Sequence, residues 1–171
     1  MKRIVTVLVN NKNGVLLRLT ALFTKRQLNI ENISVGQTET EGVSKITFLV
    51  NLQDLRQLEQ IIQQLKKQID VLQVKAIPNQ GAVVKELALI KVVSNGQTRG
   101  EINGIIEPFR ASVIDICRDS ITVQVTGNIS KIEALIDLLK PYGIKEIART
   151  GIAAFTRGNV KEVEYVSTIN S

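Results

Sequence analysis

Apolar positions along this chain switch between a two-residue and a 3.6-residue period, and each switch marks a new element. Ile4, Val5, Val7, Leu8 and Val9 make Lys2 to Val9 a strand. Apolar residues fall on both of its faces, which predicts a strand that is central in its sheet or covered on both sides. Val15, Leu16, Leu19, Leu22 and Phe23 then recur at helical spacing, one stripe that leaves Arg18 and Lys25 off it. Two strands follow, Ile30 to Gln37 and Lys45 to Leu52, joined by a polar hairpin at Thr38 to Gly42. Asp54 and Gln57 have the spacing of a reciprocal helix cap, and Leu55, Leu58, Ile61, Ile62 and Leu65 form the stripe behind them. Asp70 to Ile77 reads as a fourth strand.

Pro78-Asn79-Gln80-Gly81 breaks the pattern, and the same order then begins again. Glu86 to Val93 is a strand. Thr98 to Glu101 is a capping-box sequence ahead of Ile102, Ile105, Ile106 and Phe109, a helix that Pro108 should shorten. Ser112 to Cys117 and Ser120 to Thr126 form a hairpin around Arg118-Asp119. In its second arm Ile121, Val123 and Val125 alternate with Thr122, Gln124 and Thr126, giving one dry face and one wet one. Ser130 to Glu133 is a further capping box, Ile132, Leu135, Ile136 and Leu139 are its stripe, and Pro141 and Gly143 end the helix. Ile144 to Phe155 is the last strand, with a bend expected at Gly151. The chain is therefore of the α+β class: two tandem ferredoxin-like β-α-β-β-α-β units, each an antiparallel sheet with two helices on one face. The expected domains are 1–78 and 79–158, followed by a polar tail, 159–171, that frays at its end. The sheet face without helices needs a cover, and self-association is the simplest one.

Apolar residues are 44% of the chain but aromatics only 4%, so the cores must be built from Ile, Val and Leu. Histidine is absent, which removes Ser-His and Cys-His nucleophile pairs and the usual transition-metal ligands. Cys117, the only cysteine, excludes an internal disulfide and fits a reducing compartment; its strand setting predicts a buried structural thiol. There is no apolar run of membrane-spanning length and no secretory leader pattern, so the expectation is a cytoplasmic protein with no membrane partner. The net charge of +6 is spread among interspersed acids, with few aromatics for stacking. That distribution reads as solvated helix and strand faces with no nucleic-acid partner. An acidic protein partner remains a use for it.

One stretch organises the rest. The first strand ends in Asn10-Asn11-Lys12-Asn13-Gly14, and a helix starts at once. A helix N-terminus presents free N–H groups and the positive end of a dipole, which attract an anion. The loop lacks the glycine run of a phosphate cradle, so a small carboxylate, as of an amino acid, is the better match. An ordinary strand-to-helix turn with an asparagine cap fits the same residues.

The motifs carry a resemblance. Asn11 to Gly36 follows the pattern NxxGVLxRLTxLFxxRxxNIxxIxVG; KELALIKV begins at Lys85, EINGIIEPFRASVID at Glu101 and KPYGIKEIARTGIAAFTRG at Lys140. In that order they resemble the small, regulatory subunit of acetolactate synthase (acetohydroxyacid synthase), whose N-terminal half is an ACT domain. The resemblance runs from Lys2 to about Gly158. Leu28 stands where the family often has an aromatic residue, and Asn32 where it often has serine. The resemblance implies a subunit without an active site or cofactor of its own. It implies a catalytic large subunit as partner, carrying thiamine diphosphate, a flavin (FAD) and magnesium, which this chain activates and makes sensitive to valine in branched-chain amino acid biosynthesis. It further implies a homodimer or higher homo-oligomer holding valine between two ACT domains. Asn11, Gly14, Val15 and Leu16 would line the site from one chain and Asn29 and Ile30 from the other.

Three other readings remain. The chain is another amino-acid-sensing ACT-domain regulator; or an enzyme working through Asp115 and Asp119, which also fit plain turn chemistry; or an RNA binder of ferredoxin-like topology. For the last, the strand Lys45 to Leu52 offers only Phe48, in step with Ile46 and Val50 and so assigned to the core.

Overall fold

In the computed structural model, residues 1–78 and 81–158 are described in full and 164–166 as a backbone strand. The chain divides into two units, Met1–Val83 together with the residues from Ala153 onward, and Val84–Ile152. The first contains β1 (Lys2–Asn10), α1 (Val15–Lys25), β2 (Asn29–Gln37), β3 (Val43–Asn51), α2 (Leu55–Lys66) and β4 (Val71–Ile77). Its sheet runs β4-β1-β3-β2 with antiparallel neighbours, so β1 is central, in keeping with its apolar residues on both faces. Val5, Val7 and Val9 face the helices and are buried with Leu19, Phe23, Leu58, Ile61, Ile62 and Leu65. Phe23 and Phe48 pack ring to ring at 4.7 Å, which assigns Phe48 to the core.

The second unit repeats the plan with most of β5 (Ala82–Val93), then α3 (Thr98–Ile106), β6 (Ser112–Ile116), β7 (Ser120–Gly127), α4 (Ile129–Leu139) and β8 (Ile144–Arg149). Its order is β6-β7-β5-β8, the same relative order as the first sheet. Ile121, Val123 and Val125 are buried, while Thr122 and Gln124 are half-buried and Thr126 is exposed, as their alternation requires. Glu86, buried at the foot of β5, pairs with Arg149, which also reaches Glu133 at 2.5 Å.

Several expectations are corrected. The last strand is two: Thr150 N–H still bonds to the Leu87 carbonyl (3.1 Å), Gly151 turns the chain at φ +80°, and β9 (Ala153–Thr156) belongs with the first unit. There Lys45 Nζ donates to the Ala154 carbonyl (2.9 Å) and Arg157 N–H to the Gly81 carbonyl (2.8 Å). By their contacts the two units meet between Val83 and Val84 and again between Ile152 and Ala153. On the helix-free face of the first sheet Thr6, Thr47, Leu49 and Ile77 are buried within the chain itself. The tail contains a short strand, β10 (Glu164–Val166), antiparallel to β4. The rest of 159–171, like Asn79 and Gln80 of the inter-unit break, lies outside the described residues. Two helix caps sit upstream of the capping boxes. Asn95 Oδ1 accepts from the N–H groups of Gln97 and Thr98, and Asn128 Oδ1 from that of Lys131, all at 2.9 Å. Cys117 is exposed, because it lies in the turn that its N–H closes onto the Ser120 carbonyl (2.8 Å) at the edge of the sheet.

Candidate functional site

Gly14 itself caps α1. It stands at φ +79°, a left-handed conformation open to glycine and strained for other residues, and no side chain caps the helix. The loop before it is tied on both sides. Asn11 N–H donates to the Gly42 carbonyl (2.7 Å), Asn10 N–H to the Asp70 carbonyl (2.9 Å) and Val15 N–H to the Lys12 carbonyl (3.3 Å). Among the described residues the N–H groups of Asn13, Gly14, Leu16 and Leu17 have no backbone acceptor. These donors lie at the positive end of an eleven-residue helix, a setting suited to a small anion.

The six residues singled out from the sequence fall into two groups. Asn11, Gly14, Val15 and Leu16 lie at the C-terminal end of β1. Leu16 is 42% exposed and can meet a ligand, whereas the Val15 side chain is buried in the core and offers the loop only backbone. Asn29 and Ile30 open β2, where Asn29 stands opposite Asn51, itself opposite Lys2. Lys2 and Asn10 are eight residue steps apart on β1, so the two groups lie about 27 Å apart along the strand direction at the usual rise of a strand. One chain cannot close them around one small ligand. Ile30 is half-buried against the core and Asn29 is exposed.

A charged cluster beneath the loop was not singled out from the sequence. Asp70, 8% exposed, sits just before β4, and its Oδ2 accepts from Arg18 Nη2 at 2.5 Å. Lys12 Nζ is 3.1 Å from Oδ1 but not along a hydrogen-bonding direction, so that buried oxygen is neutralised without a well-aligned donor. Lys12 lowers the Asp70 pKa most; burial opposes the shift, and the Arg18 charge and the Asn10 side chain assist it. Arg18 reads in the sequence only as a residue off the apolar stripe. Its partner is 52 positions away, and no periodicity links them.

The comparisons with known proteins agree across the whole chain. Residues 5–73 match the family described as an AHAS small subunit-like ACT domain, and residues 85–158 the small subunit of acetolactate synthase. The chain is 64% identical over 170 residues to the acetolactate synthase small subunit of Bacillus subtilis (strain 168), covering 99% of both. It belongs to the acetolactate synthase small-subunit family. A probable acetolactate synthase small subunit of Archaeoglobus fulgidus is 45% identical over 94% of this chain and 100% of its own. The crystal structure of the small subunit from Thermotoga maritima superposes with a TM-score of 0.87 at 40% identity, covering 94% of this chain and 99% of that one. Membership makes this a regulatory subunit with an N-terminal ACT domain, and the Gly14 loop and the start of β2 both lie within the matched ACT segment. No helix among the described residues is long and apolar enough to cross a membrane.

Proposed function

We propose that this chain binds and activates the catalytic large subunit of acetolactate synthase and makes it sensitive to valine, having no active site of its own. Thiamine diphosphate, FAD and magnesium are carried by the catalytic partner in this reading, and the complex works in the cytoplasm. The observation that carries the proposal is the open-donor loop at Gly14, in a chain of this family, at the opposite end of the sheet from Asn29 and Ile30.

That separation favours a homodimer about the free edge of β2. In the described sheet β2 has a neighbour on one side only, β3, and Ile33 and Val35 on it are 36% and 52% exposed. β2 runs parallel to β1, since both are antiparallel to β3. A two-fold axis across β2 reverses the partner's strand, so its Asn29 end comes to the Gly14 end of the first chain. Valine would then lie with its carboxylate toward the free N–H groups of one chain. The asparagine amides of both chains would be within reach of its charged ends, and Leu16 would meet its side chain.

The test is valine titration of the complex reconstituted with a catalytic subunit. In Gly14→Asp the new residue is strained at φ +79°, its Cβ meets Arg18 Nη1 at 3.4 Å, and its charge repels the ligand's carboxylate. Activation should survive and valine inhibition should disappear. Asn11→Ala and Asn29→Ala should each raise the valine needed by about 10- to 150-fold, the loss of one hydrogen bond to a charged ligand. A Gly14→Asp subunit that is inhibited at the wild-type concentration would overturn the assignment.

A further inference from the structure

We propose that Asp70 is the positioning residue of the effector loop: it holds Lys12 and Arg18 in place on either side of Gly14, and so fixes the shape in which the loop's free N–H groups meet a ligand carboxylate. The inference rests on the effector-site reading above. Three contacts support it. The Asp70 carbonyl accepts from Asn10 N–H where β1 ends. Its carboxylate holds Arg18 of the first helical turns through Oδ2 and faces Lys12 of the loop through Oδ1. One residue thus ties together the strand end, the loop and the helix that together create the anion-attracting corner. Arg18 lies directly under Gly14, since a Cβ there would touch its guanidinium. Any movement of Arg18 therefore changes the space under the loop.

A carboxylate beneath a site for another carboxylate is at first sight misplaced. With Lys12 and Arg18 the local sum is +1, and the Asp70 side chain is 10% exposed against 65% for Lys12 and 49% for Arg18. A ligand therefore meets the cations and the backbone donors, while the acid stays below them. Removing the acid's charge would raise the local sum to +2. A purely electrostatic role and a positioning role consequently predict opposite signs. Without Asp70 the field would attract a carboxylate more strongly, but the two long side chains and the loop would lose their anchor and the donors their alignment.

The experiment compares the full-length wild type with Asp70→Asn and Asp70→Glu by two measurements. One is amide hydrogen exchange over residues 11–17 without ligand, and the other is valine affinity by calorimetry. In Asp70→Asn the loop amides should exchange at least about tenfold faster, and valine should bind about tenfold more weakly or worse, as for a lost hydrogen bond between charged groups. Asp70→Glu, which keeps the charge, should recover part of both. Unchanged loop exchange in Asp70→Asn overturns the positioning role, and so does tighter valine binding. If the wild type itself fails to bind valine, the effector reading falls, and the exchange measurement still decides whether Asp70 orders the loop.

Discussion

At the residue scale, the chain's chemistry gathers where a few polar groups are held against a hydrophobic background. Asp70 is the clearest case. Its carboxyl is held below the ordinary value near 3.8, chiefly by Lys12, against the opposing effect of its own burial. A depressed carboxyl contributes stability that is fully present above the unfolded pKa and is lost as pH falls through the folded one. The stability difference between wild type and Asp70→Asn should accordingly be constant from about pH 6 down to about pH 4 and shrink below that. Urea midpoints across this range measure it. A gap unchanged in strong acid would show that the carboxylate's charge is not what stabilises. Gly14 shows the complementary case: its positive φ is a backbone requirement, and it leaves the helix start free of any side-chain cap.

At the element scale, the apolar stripes were readable, but their ends were less so. In α1 and α2 the middle of each stripe is buried, whereas Leu16 and Leu55 are 42% and 58% exposed at the N-terminal turn. Val15 and Leu58 in the same turns are buried, so the buried face there is narrower than the periodicity implies. Caps shifted for a related reason. The sequence Ser130 to Glu133 satisfies the capping-box pattern, yet Asn128 caps through the Lys131 N–H and starts the helix two residues earlier than Ser130 would. Asn128→Ala should therefore cost about 1 kcal/mol, and Ser130→Ala should stay within about 0.5 kcal/mol. Chemical denaturation of both variants checks this, and equal effects would return the cap to Ser130. Asp54 is the cap that the pattern located correctly, accepting from Gln57 N–H at 2.9 Å. In return Gln57 Oε1 accepts from the N–H of Gln53, one residue before the cap.

At the scale of the whole molecule, the first unit is not a continuous piece of chain. Ala153–Thr156 returns to it after the second unit is complete, and Lys45 is bonded to Ala154. A chain ending at Gln80 keeps all four strands and both helices of the ACT segment but loses this covering stretch. It should fold with the same far-ultraviolet circular dichroism per residue for its elements, yet unfold at lower urea than the first unit of the full chain. If its midpoint matches, the returning segment contributes nothing to stability. Any division of labour between the halves in activation and valine response should be tested with chains that retain the return, since deleting it perturbs the first unit as well as removing the second.

The sequence by itself determined the element order, the twofold repeat, the core stripes and the motifs that mark the family. All of these are set by local periodicity and turn residues, which act over a few positions. It also singled out the Gly14 loop, because a glycine at a strand-to-helix junction has a local signature. Only the tertiary structure decided what depends on distant pairing. It separated Asn11 and Gly14 from Asn29 and Ile30 by the length of a strand, because the register of β1 on β3 and of β3 on β2 carries them to opposite ends of the sheet. It brought Asp70 under Lys12 and Arg18, because β4 pairs with β1 across two helices and two strands of intervening chain. It exposed Cys117, since a residue in a turn at a sheet edge has no second layer to bury it. Burial and partnership follow from which strands become neighbours, and that is a property of the folded sheet rather than of any window of sequence.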